Sequence, residues 1–319
     1  MTETFETATE GARVMRKPRF TVEELAGRGG HDAAFLGEDL PTPLPDPRAG
    51  ETWLHYTHFS VLLDTDRRLP TLTVCDIDAA SWINIKRAKE DIWSIDPRVG
   101  VDEQPDRTFY QKPDPKFDAK RNHFAFGHMV RRMDPNWGDQ AAAEEAELDT
   151  LHMTNTAPQA ERLNTGIWND LEDVVLNEIK QASALRVVVL TGPLFSDSDP
   201  LLHDAIPIPR QFWKLVGWRE GDRLAAVGWR QHQPPEVLKT ELARLPFDTP
   251  KSAIWLTPIA DLARETGLDL APFEAADTFE DRTRRARSGG RESGGLSELA
   301  ARLPRSASEL LGRPVSTAG

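Results

Sequence analysis

Five short apolar runs, each closed by turn residues, constrain this chain more than any other feature. They are Trp53–Leu63 (WLHYTHFSVLL), Leu72–Ile77, Arg186–Leu190, Phe212–Trp218 and Leu224–Trp229. Their aromatic and β-branched content marks them as strands. The polar Asp64–Pro70 separates the first two, which predicts a hairpin. Thr191-Gly192-Pro193 closes the third, and the Glu220-Gly221-Asp222 turn pairs the last two. Helical patterns fall between and after them. Gly138–Leu148 is rich in alanine and glutamate. Asn164–Lys180 carries Ile167, Leu171, Val174, Val175 and Ile179 as one apolar stripe. Pro258–Thr266 is a short helix stopped by Gly267. This order predicts an α+β fold: a mixed or antiparallel central sheet flanked by helices in a single large domain. It is not the regular alternation of a doubly wound sheet, and no glycine-rich nucleotide loop follows a strand.

The limits of that domain follow from composition. Residues 1–24 are read as a polar N-terminal extension, 25–280 as the domain, and 281–319 as a flexible tail rich in Arg, Ser and Gly, with one weak helical patch at Leu296–Leu303. Pro41, Pro43, Pro45 and Pro47 mark an extended connector. Lys86 to Asn122 is a long irregular stretch of the kind that often carries function. With 39% hydrophobic residues and nine tryptophans, a sizeable core can be buried, so the chain is not disordered throughout. No stretch approaches the roughly 20 apolar residues of a membrane span. The start, Met1 to Glu10, lacks the basic and apolar regions of a secretory signal. The lone Cys75 excludes an internal disulfide and any multi-cysteine zinc site. A cytoplasmic protein with no membrane partner is the expectation.

The net charge of −12 argues against adhesion to nucleic acid in bulk. Its distribution does not. Arg282 to Arg313 holds eight arginines against three glutamates, a local +5. Lys116 to Gly138 holds five basic and two acidic residues. Either stretch can meet phosphate locally, and a disordered solubilising end remains the plainer reading of the tail.

Several polar residues then carry two readings each. His128 follows Gly127 and precedes Arg131 and Arg132, within Phe126-Gly127-His128-Met129-Val130-Arg131-Arg132-Met133-Asp134-Pro135-Asn136-Trp137-Gly138. A lone histidine is usually structural, and adjacent arginines are usually a solvated pair. Asn155, before a Thr-Ala-Pro turn, is ordinarily a loop residue satisfying local backbone. Asn164 stands where a helix begins and is ordinarily its cap. Glu172 lies eight residues on, about 80° around and ~12 Å along that helix, so both can border one cleft. His58 reads as a packed strand histidine, and His152 as a support for His128 or a core residue.

Together and in order, GHMVRRMDPNWG, TNTAPQ, LNTGIWNDLE and VVVLTGPLF resemble the DNA/RNA non-specific endonucleases, a ββα-metal family of the Serratia nuclease and endonuclease G type. HDAAFLG, YTHFSV, IPIPRQFWKLV and PIADLARETGLDL extend the resemblance to about Arg28–Phe279. It implies a ββα-metal nuclease fold and cleavage of phosphodiester bonds in DNA and RNA with little sequence preference. It implies His128 as general base on the attacking water, and Asn164 as the side chain holding a divalent metal, Mg²⁺ with Mn²⁺ as a substitute. It implies Glu172 as the acid that orders water at the metal, and Asn155 as a polar motif residue near the histidine. Physical chemistry agrees: imidazole titrates near neutrality, and Mg²⁺ keeps several waters beside a single protein ligand. A homodimer and an inhibitor or regulatory partner are left open.

The chain departs from the family at one place. The motif before the histidine is usually Asp-Arg-Gly-His, and here it is Ala125-Phe126-Gly127-His128. Phe126 in place of arginine suits stacking on a base or packing beneath the site. The missing charge falls to Arg131, Arg132 or Arg87, unless the chain binds nucleic acid or a protein partner without cutting.

Overall fold

The computed structural model describes residues 18–86, 92–117, 120, 124–160, 186–233 and 254–279. The predicted helix at Asn164–Lys180, the patch at Leu296–Leu303, the tail, and Arg87, Asn164 and Glu172 lie outside the described residues.

In chain order the strands are β1 (Glu51–Tyr56), β2 (Phe59–Asp64), β3 (Leu69–Asp78), β4 (Phe124–His128), β5 (Thr156–Ala160), β6 (Arg186–Leu194), β7 (Leu201–Leu202), β8 (Ile206–Pro207), β9 (Gln211–Glu220), β10 (Arg223–His232) and β11 (Ile254–Leu256). The helices are α1 (Val22–Ala26), α2 (Arg107–Gln111), α3 (Gln140–Asp149), α4 (Ile259–Thr266) and α5 (Ala271–Ala275). Seven strands form one sheet in the order β1-β2-β3-β6-β9-β10-β11. Every described pairing in it is antiparallel, which settles mixed against antiparallel in favour of the latter. β4 and β5 pair apart from it as a ribbon, and β7 with β8 as a small hairpin.

Both faces of the sheet are covered. Val187 and Val189 of β6 enter one core with Tyr56, Val61, Leu63, Val216 and Trp229. Val188 and Leu190 enter the other with Leu62, Leu72, Trp213, Leu215 and the α4 residues Ile259 and Leu262. A strand buried on both sides cannot alternate polar and apolar, so the run Val187–Leu190 is continuous. α4 ends where expected, at Gly267, whose φ of 67° is the left-handed cap that glycine adopts without strain.

Two boundaries differ from expectation. Trp53–Leu63 is not one strand: it folds back at Thr57-His58 into β1 and β2, with Tyr56 opposite Phe59. No glycine, proline or asparagine marks that turn. His58 takes φ 68°, and its ring stacks on Trp137 at 3.5 Å while its Nδ1 donates to the Pro135 carbonyl at 2.9 Å. β6 also runs through Gly192-Pro193 to Leu194 instead of stopping there. β3 pairs with β6 only as far as Thr191, so Pro193 sits where one side of β6 has no ladder to break.

The segment after α1 is latched to the sheet by a buried pair. His31 Nδ1 meets Asp76 Oδ1 at 2.5 Å and His31 Nε2 meets the Thr42 carbonyl at 2.6 Å. The Thr42 carbonyl only accepts, so Nε2 carries a proton, while Nδ1 and the Asp76 carboxyl, whose own pKa burial raises, share one between them. Burial alone drives the His31 pKa down; the hydrogen bond and charge of Asp76, with the Thr42 carbonyl, outweigh burial and raise it above the ordinary value.

Candidate active site

The ribbon carries the candidate base at its end. His128 closes β4, half-buried, directly across from Thr156 of β5. Cross-strand pairing puts Phe126 and His128 on one face with Pro158 and Thr156, and Ala125 and Gly127 on the other with Gln159 and Ala157. On that second face the side chain of Gln159 lies where a Gly127 side chain would be. A Cβ there would meet Gln159 Cγ at 2.3 Å, which is why the residue before the histidine is glycine.

Asn155 positions the backbone after the histidine. Fully buried, it ends the 3₁₀ turn Met153–Asn155. Its Oδ1 accepts the Val130 N–H at 2.8 Å, and its Nδ2 donates to the carbonyls of Val130 at 2.9 Å and Thr150 at 3.0 Å. Its carbonyl accepts the Met129 N–H at 3.0 Å. The amide is therefore spent on backbone, two of its bonds on Val130 in the segment that follows His128.

Behind that turn lies a buried polar network that sequence reasoning did not find. Tyr56 donates to Asp96 Oδ2 at 2.5 Å, which leaves the Thr154 hydroxyl to donate to the Tyr56 oxygen at 2.6 Å. Arg98 grips Asp96 with Nη2 at 2.7 Å and lies over the Tyr56 ring at 4.7 Å. Burial pushes the Asp96 pKa up, but its bonds with Arg98 and the charge of Arg98 bring it below the usual carboxylate value. The phenol of Tyr56 is held well above its ordinary range, first by burial and then by Asp96. His152 joins from the side. Its Nδ1 donates to the Asp149 carbonyl at 2.9 Å, its ring packs on Tyr56 at 4.9 Å, and burial lowers its pKa. Its carbonyl accepts the Asn155 N–H at 3.0 Å.

Phe126 fills an aromatic stack. Trp93 lies against it at 5.0 Å, nearly parallel, and Tyr110 of α2 at 4.7 Å. The same Trp93 ring touches His128 at 4.6 Å and 45°. Phe126, partly buried, thus packs on the same Trp93 ring as the histidine. Nine tryptophans were visible in the sequence, but no spacing singled out Trp93.

Of the candidate cations, Arg132 is ion-paired with Glu147, whose other oxygen takes Asn136 Nδ2 at 3.0 Å. Arg131, half-buried, follows His128 by three residues. His58 lies in the β1–β2 turn rather than inside a strand, held against Trp137 as described above. Among the described residues no three His, Cys, Asp or Glu side chains converge to enclose a metal ion.

An antiparallel α+β fold with a histidine on a separate two-stranded ribbon defines the class in outline, and comparison with known proteins completes it. The DNA/RNA non-specific endonuclease family matches residues 44–276. An "Uncharacterized protein y4fB" of Sinorhizobium fredii (strain NBRC 101917 / NGR234) is 32% identical over 285 residues, covering 83% of this chain and 42% of its own length. The mitochondrial endonuclease G proteins of Homo sapiens and Bos taurus are 25% and 24% identical over 166 residues, 49% of this chain and 50% of each relative. The chain therefore spans half or less of the length of these relatives. The crystal structure of the EndoG/EndoGI complex, which concerns the mechanism of EndoG inhibition, aligns at TM-score 0.49 and 19% identity over 70% of this chain and 86% of the other. This chain belongs to the DNA/RNA non-specific endonuclease family.

Proposed function

We propose that the chain is a divalent-metal-dependent endonuclease that hydrolyses phosphodiester bonds of DNA and RNA with little sequence preference. One observation carries this reading: a half-buried histidine stands at the end of β4, and two of the three amide bonds of Asn155 fix Val130 in the backbone that follows it. Such a held imidazole is suited to take a proton from an attacking water. Arg131, three residues on, is the nearest candidate along the chain for charge at the phosphate, and Arg87 is a second. Asn164 is the residue that would hold Mg²⁺ or Mn²⁺, with Glu172 ordering water beside it. When bound, such an ion supplies charge stabilisation at the phosphoryl group and the leaving oxygen. A nucleic-acid substrate and, in the cell, an inhibitor partner belong to the same proposal.

One observation favours a second reading. Phe126 occupies the arginine position of the family motif and is locked between Trp93 and Tyr110, which suits a homologue that binds nucleic acid or a partner without cutting. Relaxation of supercoiled plasmid, with and without EDTA, separates the two. Wild-type cleavage that EDTA stops, and that His128→Ala lowers by ~10²–10⁴-fold while remaining folded, supports the nuclease. Binding without cleavage at any Mg²⁺ or Mn²⁺ concentration overturns it.

A further inference from the structure

Resting on the nuclease reading, we propose that Trp93 is a positioning residue for His128, its indole fixing the plane of the imidazole from which the proton is taken up. The χ2 torsion of a histidine is broad and roughly two-fold, so the backbone alone does not set the ring. The indole packs against the imidazole with ring centroids 4.6 Å apart and planes at 45°, and Thr156 stands across the ribbon from His128.

That indole is rigid for reasons visible in the chain. Trp93 is 6% exposed and stacked on Phe126, which Tyr110 backs from α2. The Tyr110 hydroxyl in turn bonds Thr156 Oγ1 at 3.1 Å, tying the stack back to the strand facing His128. The next residue, Ser94, is bridged to His152: its N–H donates to the Leu151 carbonyl at 3.0 Å, and its carbonyl accepts the Met153 N–H at 2.8 Å. Met153 opens the turn that ends in Asn155, and Asn155 holds Val130. The contacts close on themselves, running from His128 through Trp93, Ser94, Met153, Asn155 and Val130 back to His128. One turn thus fixes the imidazole from its ring side and from its backbone side.

A misplacement near 1 Å at a reacting group costs on the order of 10²-fold, and it does so in turnover rather than in binding. The test measures kcat and KM on duplex DNA with Mg²⁺ for the wild type, Trp93→Leu and Trp93→Phe. In parallel, proton NMR follows the imidazole resonances of His128, identified by their loss in His128→Gln. Trp93→Leu is expected to lower kcat by about 10-fold or more with KM within about twofold. The smaller flat ring of Trp93→Phe is expected to recover most of that loss. The His128 resonances should lie at ring-current-shifted positions in the wild type and move in Trp93→Leu. A folded Trp93→Leu with wild-type kcat, or a Trp93→Phe no better than Trp93→Leu, overturns the positioning role while leaving the nuclease reading intact. A wild type that cleaves no nucleic acid fails the nuclease reading, and the positioning role with it. If Trp93→Leu does not fold, Trp93→Met replaces it as the variant that fills the space without a flat ring. A kcat decrease at constant KM together with displaced His128 resonances in that variant supports the role, and an unchanged kcat removes it.

Discussion

Gly127→Ala is the substitution whose cost follows most directly from the structure. The added methyl carbon would sit 2.3 Å from Gln159 Cγ, 2.4 Å from Cδ and 2.5 Å from Oε1. Ordinary carbon contact lies near 3.5 Å, so something must move by about 1.2 Å. Gln159 is fully buried, so part of the displacement is expected to pass to β4, one residue before His128. Overpacking of this kind costs ~1–3 kcal/mol, and in a domain of this size each kcal/mol lowers the melting midpoint by about 2–4 °C. Activity should fall further, toward ~10²-fold, because a shift near 1 Å reaches the base. The decisive control is Gln159→Ala. Neither atom of the Gln159 amide has a hydrogen-bond partner among the described residues, so its removal chiefly forfeits packing. In the double variant the methyl finds space, and the two losses should be strongly non-additive, with a coupling of ~1 kcal/mol or more. The assay is a double-mutant cycle read in melting midpoint and plasmid nicking. Additive losses, or a Gly127→Ala protein with wild-type activity, would refute the steric argument.

Three further outcomes are expected. Asn155→Ala leaves the Val130 N–H and the Val130 and Thr150 carbonyls without their buried partner, so it should cost about 3 kcal/mol by thermal unfolding and depress cleavage with it; a change under about 0.5 kcal/mol counts against the clamp. Phe126→Arg restores the family residue but forces a guanidinium between Trp93 and Tyr110, so it should lose at least about 2 kcal/mol and gain no activity; a stable, faster variant would mean the arginine's role is simply missing. The His31 latch makes stability pH-dependent. A raised folded pKa gives stabilisation that is complete below the unfolded value near 6.5 and is lost as pH rises through the folded value. The melting midpoint should therefore fall across the neutral to alkaline range, and His31→Gln should flatten that fall; an unchanged pH profile in His31→Gln removes the latch.

What the sequence disclosed depended on whether a local pattern carried the information. The β9–β10 pair was legible because Gly221 and its polar neighbours punctuate two apolar runs. The β1–β2 turn was not, because its cause is distant: Trp137 and Pro135 stabilise a left-handed His58 that no local residue announces. The end of β6 was misread for a similar reason, since Pro193 is tolerated only because β3 stops pairing at Thr191. His128 and Asn155 were singled out as part of an ordered set of motifs. The role of Asn155 was not legible, because an amide spent on backbone and one offered to a ligand have the same letter. Trp93 escaped for want of any spacing; its place beside His128 arises from a bridge between Ser94 and His152, which lie 58 positions apart in the numbering.

The double-sided burial of β6 bears on how such a chain can change length. Because Val187 and Val189 belong to one core and Val188 and Leu190 to the other, a single residue inserted or deleted there would exchange the two sets wholesale. Polar strands tolerate such a slip by shifting register; this one has no register to which it can retreat. A changed length should therefore be tolerated in an exposed connection, such as Gly221-Asp222 between β9 and β10, and not within β6. The sheet behaves as a fixed reading frame, and room for a change of length lies in its exposed turns.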